Sequence, residues 1–213
     1  MNALVTKRRQ QGGFTLIELL VVMAIIATLA GLGMVGIPAI IRQSHKTAAQ
    51  DRLSSIYDLL MIYYTDHKKW PKEAGANFPL AMLTSGILDR DEKDCEIFFD
   101  PSMDFDPGPD CENCTEDGIS WTGPSFEGAR FYTPSMRNAN KHVIVANKVP
   151  VVQADEDLDF LPHAAKGIVY LTAGGRTDWI ESGQWSEGYP VVGPDSSVEK
   201  FTHLVAYDTA GGH

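Results

Sequence analysis

From Leu19 to Ile41 the chain runs 23 residues without a charge, and the only charge between Gly12 and Ile41 is Glu18. A run of about 20 apolar residues can cross a bilayer as a helix. A secretory signal peptide has a shorter apolar core, about 7–15 residues, followed by a small-residue cleavage site; neither property is present. A plain anchor fits the length but leaves Glu18 without a reason. A carboxylate in a membrane helix costs about 2.5–3.5 kcal/mol at the bilayer centre and less near the interface, so it needs a partner. Lys7, Arg8 and Arg9 precede the run, which by the positive-inside rule places the N-terminus in the cytoplasm and the rest of the chain outside.

The order of residues is more particular than its hydropathy. Basic residues lead into Gly-Gly-Phe-Thr-Leu-Ile-Glu-Leu-Leu (Gly12–Leu20) and then the long apolar run. This resembles the leader of type IV pilins and type II secretion pseudopilins, over roughly Lys7 to Ile41. The resemblance implies that a prepilin peptidase cuts between Gly13 and Phe14 and methylates the new amine. Glu18 falls where that family keeps a glutamate. It then serves as a register key, pairing with the Phe14 amine of a neighbouring subunit, because an ion pair is stronger in low dielectric than in water. The implied partners are the peptidase and N-methyltransferase, other pilin-like subunits and the inner-membrane assembly machinery.

The helical pattern continues past the membrane segment. Ala49, Leu53, Ile56, Leu60 and Tyr63 follow at intervals of four, three, four and three, one apolar seam with a polar face between. Gly31, Gly33, Gly36 and Pro38 interrupt the first half, where helix propensity is poorest; the resemblance implies local melting there on assembly. Helix signals stop at Pro71 and Gly75, and Tyr63–Pro71 is similar to the end of the long helix in major pseudopilins. The chain therefore reads as a leader (1–13), a transmembrane and filament-core helix (14–41), an amphipathic continuation (42–66) and an extracytoplasmic α+β head (67–213). The fold class is α+β and pilin-like: a long N-terminal helix, membrane-spanning in its first half, packed on a small antiparallel sheet.

Within the head, residues 78–88 suit a short helix or turn. From Asp89 to Asp117 twelve acids face two bases, with proline and glycine among them, which reads as a surface loop. Asp104, Asp106 and Asp110 offer hard oxygen ligands suited to calcium, a cofactor that some pseudopilins hold in a loop, although the spacing is not that of an EF-hand. Cys95, Cys111 and Cys114 all lie in this segment. Outside the cytoplasm a disulfide is expected, from Cys95 to either Cys111 or Cys114, with one thiol left over. The C-x-x-C at 111–114 is also half of a zinc site, but no second pair follows.

Strand signals come next: 129–133, 142–146, and a hairpin of 167–172 and 176–181 about Ala173-Gly174-Gly175, with Val169 and Leu171 sharing a face with Trp179. Residues 195–205 suit a capped helix. His163 with Ala173-Gly174 ten residues on is similar to the His-x9-Asp-Gly hairpin of some prepilin-like proteins, with alanine in place of the aspartate; it supports a hairpin and no chemistry. Cys114 with His142 or His163 has no nucleophile motif around it, and Trp121 and Trp185 read as core pieces before a glycan groove. No catalytic residue is expected. The net charge of −10 becomes −10 − 3 = −13 once the leader's three cations are removed, and such a body repels phosphate backbones. Two roles follow: a non-catalytic filament subunit, or a membrane-anchored extracytoplasmic module that binds a ligand or calcium and does not polymerise.

Overall fold

The computed structural model describes residues 14–103, 105–124, 133–148, 163, 166–181, 201 and 204, with the side chains of 32–36 left aside. Helix α1 runs Leu16–His67. The chain divides into two units, Met1–Ile41 and Arg42–His213.

The first unit contains the apolar part of α1, whose backbone stays helical through Pro38. Fourteen of the sixteen large apolar side chains exposed among the described residues belong to it, from Phe14 to Ile41. Among the described residues, no helix is long and apolar enough to cross a membrane.

The second unit is a mixed α+β body. Ala49, Leu53, Ile56 and Leu60 are fully buried, as the spacing predicts, and Tyr63 is half-buried and stacked on His67 at 4.1 Å. After Pro71 comes α2, Asn77–Thr84, buried from Phe78 to Leu83. Four strands follow: β1 (Trp121–Thr122), β2 (Val143–Asn147), β3 (Gly167–Thr172) and β4 (Thr177–Glu181). They form one antiparallel sheet in the order β1-β2-β3-β4.

Every residue of β2 and β3 is buried, so the sheet is covered on both faces. Val169 and Leu171 join the α1 seam in one core. Ile168 and Tyr170 point the other way, and Tyr170 meets the edge of Phe201 at 5.6 Å. Val169 pairs with Trp179 across the hairpin. The turn needs Gly175, whose φ is +82°; a Cβ there would also stand 2.5 Å from the Tyr57 ring.

The acidic segment keeps its described acids exposed, as its charge suggests, except for Asp100, and it also contributes residues to the core. It contains α3 (Glu92–Cys95), a 3-10 turn at Glu96–Phe98 and a second at Pro109–Cys111. Cys95, Phe98, Phe99, Asp100 and Cys111 are buried. The reason is the apolar run Ile97-Phe98-Phe99 between the acids, which outweighs the composition around it. Arg52 Nη1 donates to the Phe99 carbonyl at 2.7 Å and so ties this segment to α1. The strand expected at 129–133 and the helix expected at 195–205 lie largely outside the described residues.

Candidate functional site

Three groups of residues carry the candidate functional features. The first is the start of α1. Thr15 precedes the helix and Glu18 lies in its first turn. The Thr15 amide and hydroxyl both donate to Glu18 Oε2, at 2.8 and 2.7 Å, and the Glu18 amide approaches Thr15 Oγ1 at 3.4 Å. This reciprocal pattern is a capping box, in which each partner satisfies an amide the helix leaves open. The carboxylate also suits the positive end of the helix dipole. Thr-x-x-Glu is legible in the sequence as a cap. Oε1 of Glu18 takes no hydrogen bond among the described residues. Phe14 is 86% exposed; Gly13 lies outside the described residues.

The second group is the sulfur cluster. Cys95 and Cys111 form a disulfide across a sequence separation of 16, and Cys114 is free and half-buried. That resolves the two pairings the sequence leaves open. All three sulfurs lie within 4.8 Å of one another. Burial pushes the Cys114 thiol up to about 11, against an opposing pull from Arg90. Among the described residues this is also the one place where three His, Cys, Asp or Glu side chains converge closely enough for a metal. Of the calcium candidates, Asp106 accepts from the Gly108 amide at 2.9 Å and so closes a local turn. Asp110 sits at φ +55° within the second 3-10 turn, and Asp104 lies outside the described residues.

A third group, a buried polar knot, is invisible in the sequence. Asp100, fully buried, accepts from the Ser102 amide at 2.7 Å and from the Ser102 hydroxyl. Its other oxygen accepts from Asn147 Nδ2 at 2.6 Å. Asn147 Oδ1 in turn accepts from the Val169 amide at 2.8 Å. His163 Nε2 stands 3.1 Å from Asp100 Oδ2, close enough for an ion pair but off the line of a regular hydrogen bond. The His163 amide donates to Ser102 Oγ at 2.8 Å, and its ring meets the edge of Trp179 at 5.0 Å. Burial alone would raise the Asp100 carboxyl; His163 and Ser102 outweigh it and hold the carboxyl below the usual range. His163 thus binds the acidic segment to the sheet.

Nearby, Lys148 Nζ donates to the carbonyls of Glu116 and Asp117 at 2.6 and 3.2 Å. Burial pushes its ammonium down to about 8, against the pull of Asp117 and Glu116. Trp121 is fully buried and donates from Nε1 to the Ile97 carbonyl at 2.7 Å, so it is a core residue and lines no groove. Trp185 lies outside the described residues. His142 closes the approach to β2, its carbonyl accepting from the Ala173 amide at 2.8 Å.

Comparison with known proteins bears on the first group alone. No curated protein and no solved structure matches the chain. Residues 8–34 match the family model described as the prokaryotic N-terminal methylation motif. That span covers the leader's last basic residues, Phe14, the Thr15–Glu18 box and the first turns of α1. The chain therefore carries at its N-terminus the prepilin leader of type IV pilins and pseudopilins, which marks it as a pilin-like substrate of prepilin peptidase.

Proposed function

We propose that the chain is a structural subunit of a type II secretion pseudopilus or a type IV pilus-like filament. It is cut after Gly13 and N-methylated on Phe14. Before assembly it is held in the inner membrane by the helix of residues 14–41, with its head periplasmic or extracellular. The observation that carries this reading is the apolar N-terminal stretch: fourteen large side chains, Phe14 and thirteen on α1 up to Ile41, stand exposed around a single carboxylate. Burying a side chain of this kind stabilises by about 1.5–3 kcal/mol, so together they strongly favour a lipid or helix-packed surround over water.

Glu18 supplies direction to that otherwise unspecific attraction. Thr15 occupies Oε2, and Oε1 is left for the cationic amine of a neighbouring Phe14. At 4 Å and an effective dielectric of 20 such a pair is worth about 4 kcal/mol, enough to select one axial register. Gly31, Gly33, Gly36 and Pro38 then allow the helix to yield locally as it leaves the bilayer. In this role the chain is acted on by the peptidase and the assembly machinery and is itself no catalyst.

The test is Glu18→Leu, expressed beside the assembly machinery. Membrane insertion is expected to persist or improve, and filaments to disappear. Filaments of ordinary length from this variant would overturn the register role and favour an anchored module that does not polymerise.

A further inference from the structure

The sulfur cluster holds more cysteines than its staple uses. The disulfide joins Cys95, at the end of α3, to Cys111 in the second 3-10 turn. Cys114 follows one turn later, its amide donating to the Cys111 carbonyl at 3.0 Å, and its sulfur lies within 4.8 Å of both bonded sulfurs. A thiol this close to a disulfide is placed to attack it.

We propose that Cys95, Cys111 and Cys114 form one thiol–disulfide exchange centre, in which Cys114 can replace Cys95 as the partner of Cys111. The Cys114 thiolate attacks Cys111 Sγ. The Cys111–Cys114 bond forms as the Cys95–Cys111 bond breaks, and the displaced electron pair leaves on Cys95 Sγ, which takes up the proton that Cys114 gave up. One disulfide and one thiol stand on each side, so no outside oxidant or reductant is needed.

Chain entropy and packing pull this exchange in opposite directions. Closing a loop of three residues costs less entropy than closing one of 16, so an unfolded chain favours Cys111–Cys114. The folded head favours Cys95–Cys111, because both sulfurs then sit in the core beside Phe98. The centre therefore runs toward the long staple as the head folds, and Cys114 is the leaving thiol. Burial then keeps that thiol protonated, which slows the return at neutral pH.

The oxidised full-length chain in detergent is held at pH 7.5 and pH 10, quenched with acid, alkylated and cut at its acidic residues. Glu96 and Glu112 separate the three cysteines into different peptides. At the start, the label is expected on Cys114 alone. With time a minor share appears on Cys95 as the Cys111–Cys114 pair forms, up to a plateau set by the preference of the folded head for the long staple. For a thiol titrating at about 11, the initial rate rises roughly 300-fold between the two pH values, against roughly 10-fold for an ordinary thiol near 8.5. Cys114→Ser keeps the staple and shows no transfer. Label confined to Cys114 at both pH values would overturn the proposal. So would transfer whose rate scales with protein concentration, or transfer that persists in Cys114→Ser.

Discussion

Replacing Asp100 by alanine tests the buried knot, and its cost can be worked from the contacts. The substitution removes the acceptor of the Ser102 amide and hydroxyl and of Asn147 Nδ2, and leaves His163 Nε2 facing no carboxylate. Each buried donor left without a partner costs about 1–3 kcal/mol. These losses share groups and do not add, so about 4 kcal/mol is expected in total. For a unit of this size each kcal/mol moves Tm by about 2–4 °C, which gives a fall of roughly 8–16 °C.

The assay is urea and thermal unfolding of the full chain in detergent, followed by tryptophan fluorescence, because Trp179 borders His163 and Trp121 lies in the core. The pH dependence has a definite sign. A carboxyl held below its unfolded value contributes stability that is complete above about pH 4 and lost as pH falls through the lower folded value. In Asp100→Ala that acid-side loss is expected to shrink, so wild type and variant converge at low pH. A variant within 1 kcal/mol of wild type at pH 7, or one with an unchanged acid limb, would refute the account of the knot.

Two further outcomes follow from the head. Reducing the Cys95–Cys111 bond reopens a loop of about 16 residues and is expected to lower stability by about 3 kcal/mol, read as a shifted urea midpoint with and without reductant. Gly175→Ala places a Cβ against the Tyr57 ring at a φ of +82°; a loss of about 1–3 kcal/mol is expected, and Gly31→Ala, with open space around it, serves as the neutral comparison for the head.

The parts of the fold that repeat locally were legible in the residues. The α1 seam follows from the spacing of Ala49, Leu53, Ile56 and Leu60, and the β3–β4 hairpin from strand residues on either side of Ala173-Gly174-Gly175. What escaped was set by contacts between distant segments. Trp121-Thr122 is too short to show a period, and becomes a strand only because Asn147 and Ala146 offer it an edge. Asp100 is one acid among twelve in its segment, and nothing local marks it as the one that β2 and His163 will enclose. At the N-terminus the sequence carried both the processing motif and the Thr15–Glu18 cap. Glu18 serves in both, as the lone charge of the apolar run and as the capping partner of Thr15.

The central claim is that the chain is matured at Phe14 and assembles through Glu18. The intact mass and N-terminal sequence of the membrane-bound protein, from cells with an active prepilin peptidase, test it most directly. The account predicts a chain that begins at Phe14 and carries one added methyl group on its amine. A chain that still begins at Met1, or one cut elsewhere, would contradict it.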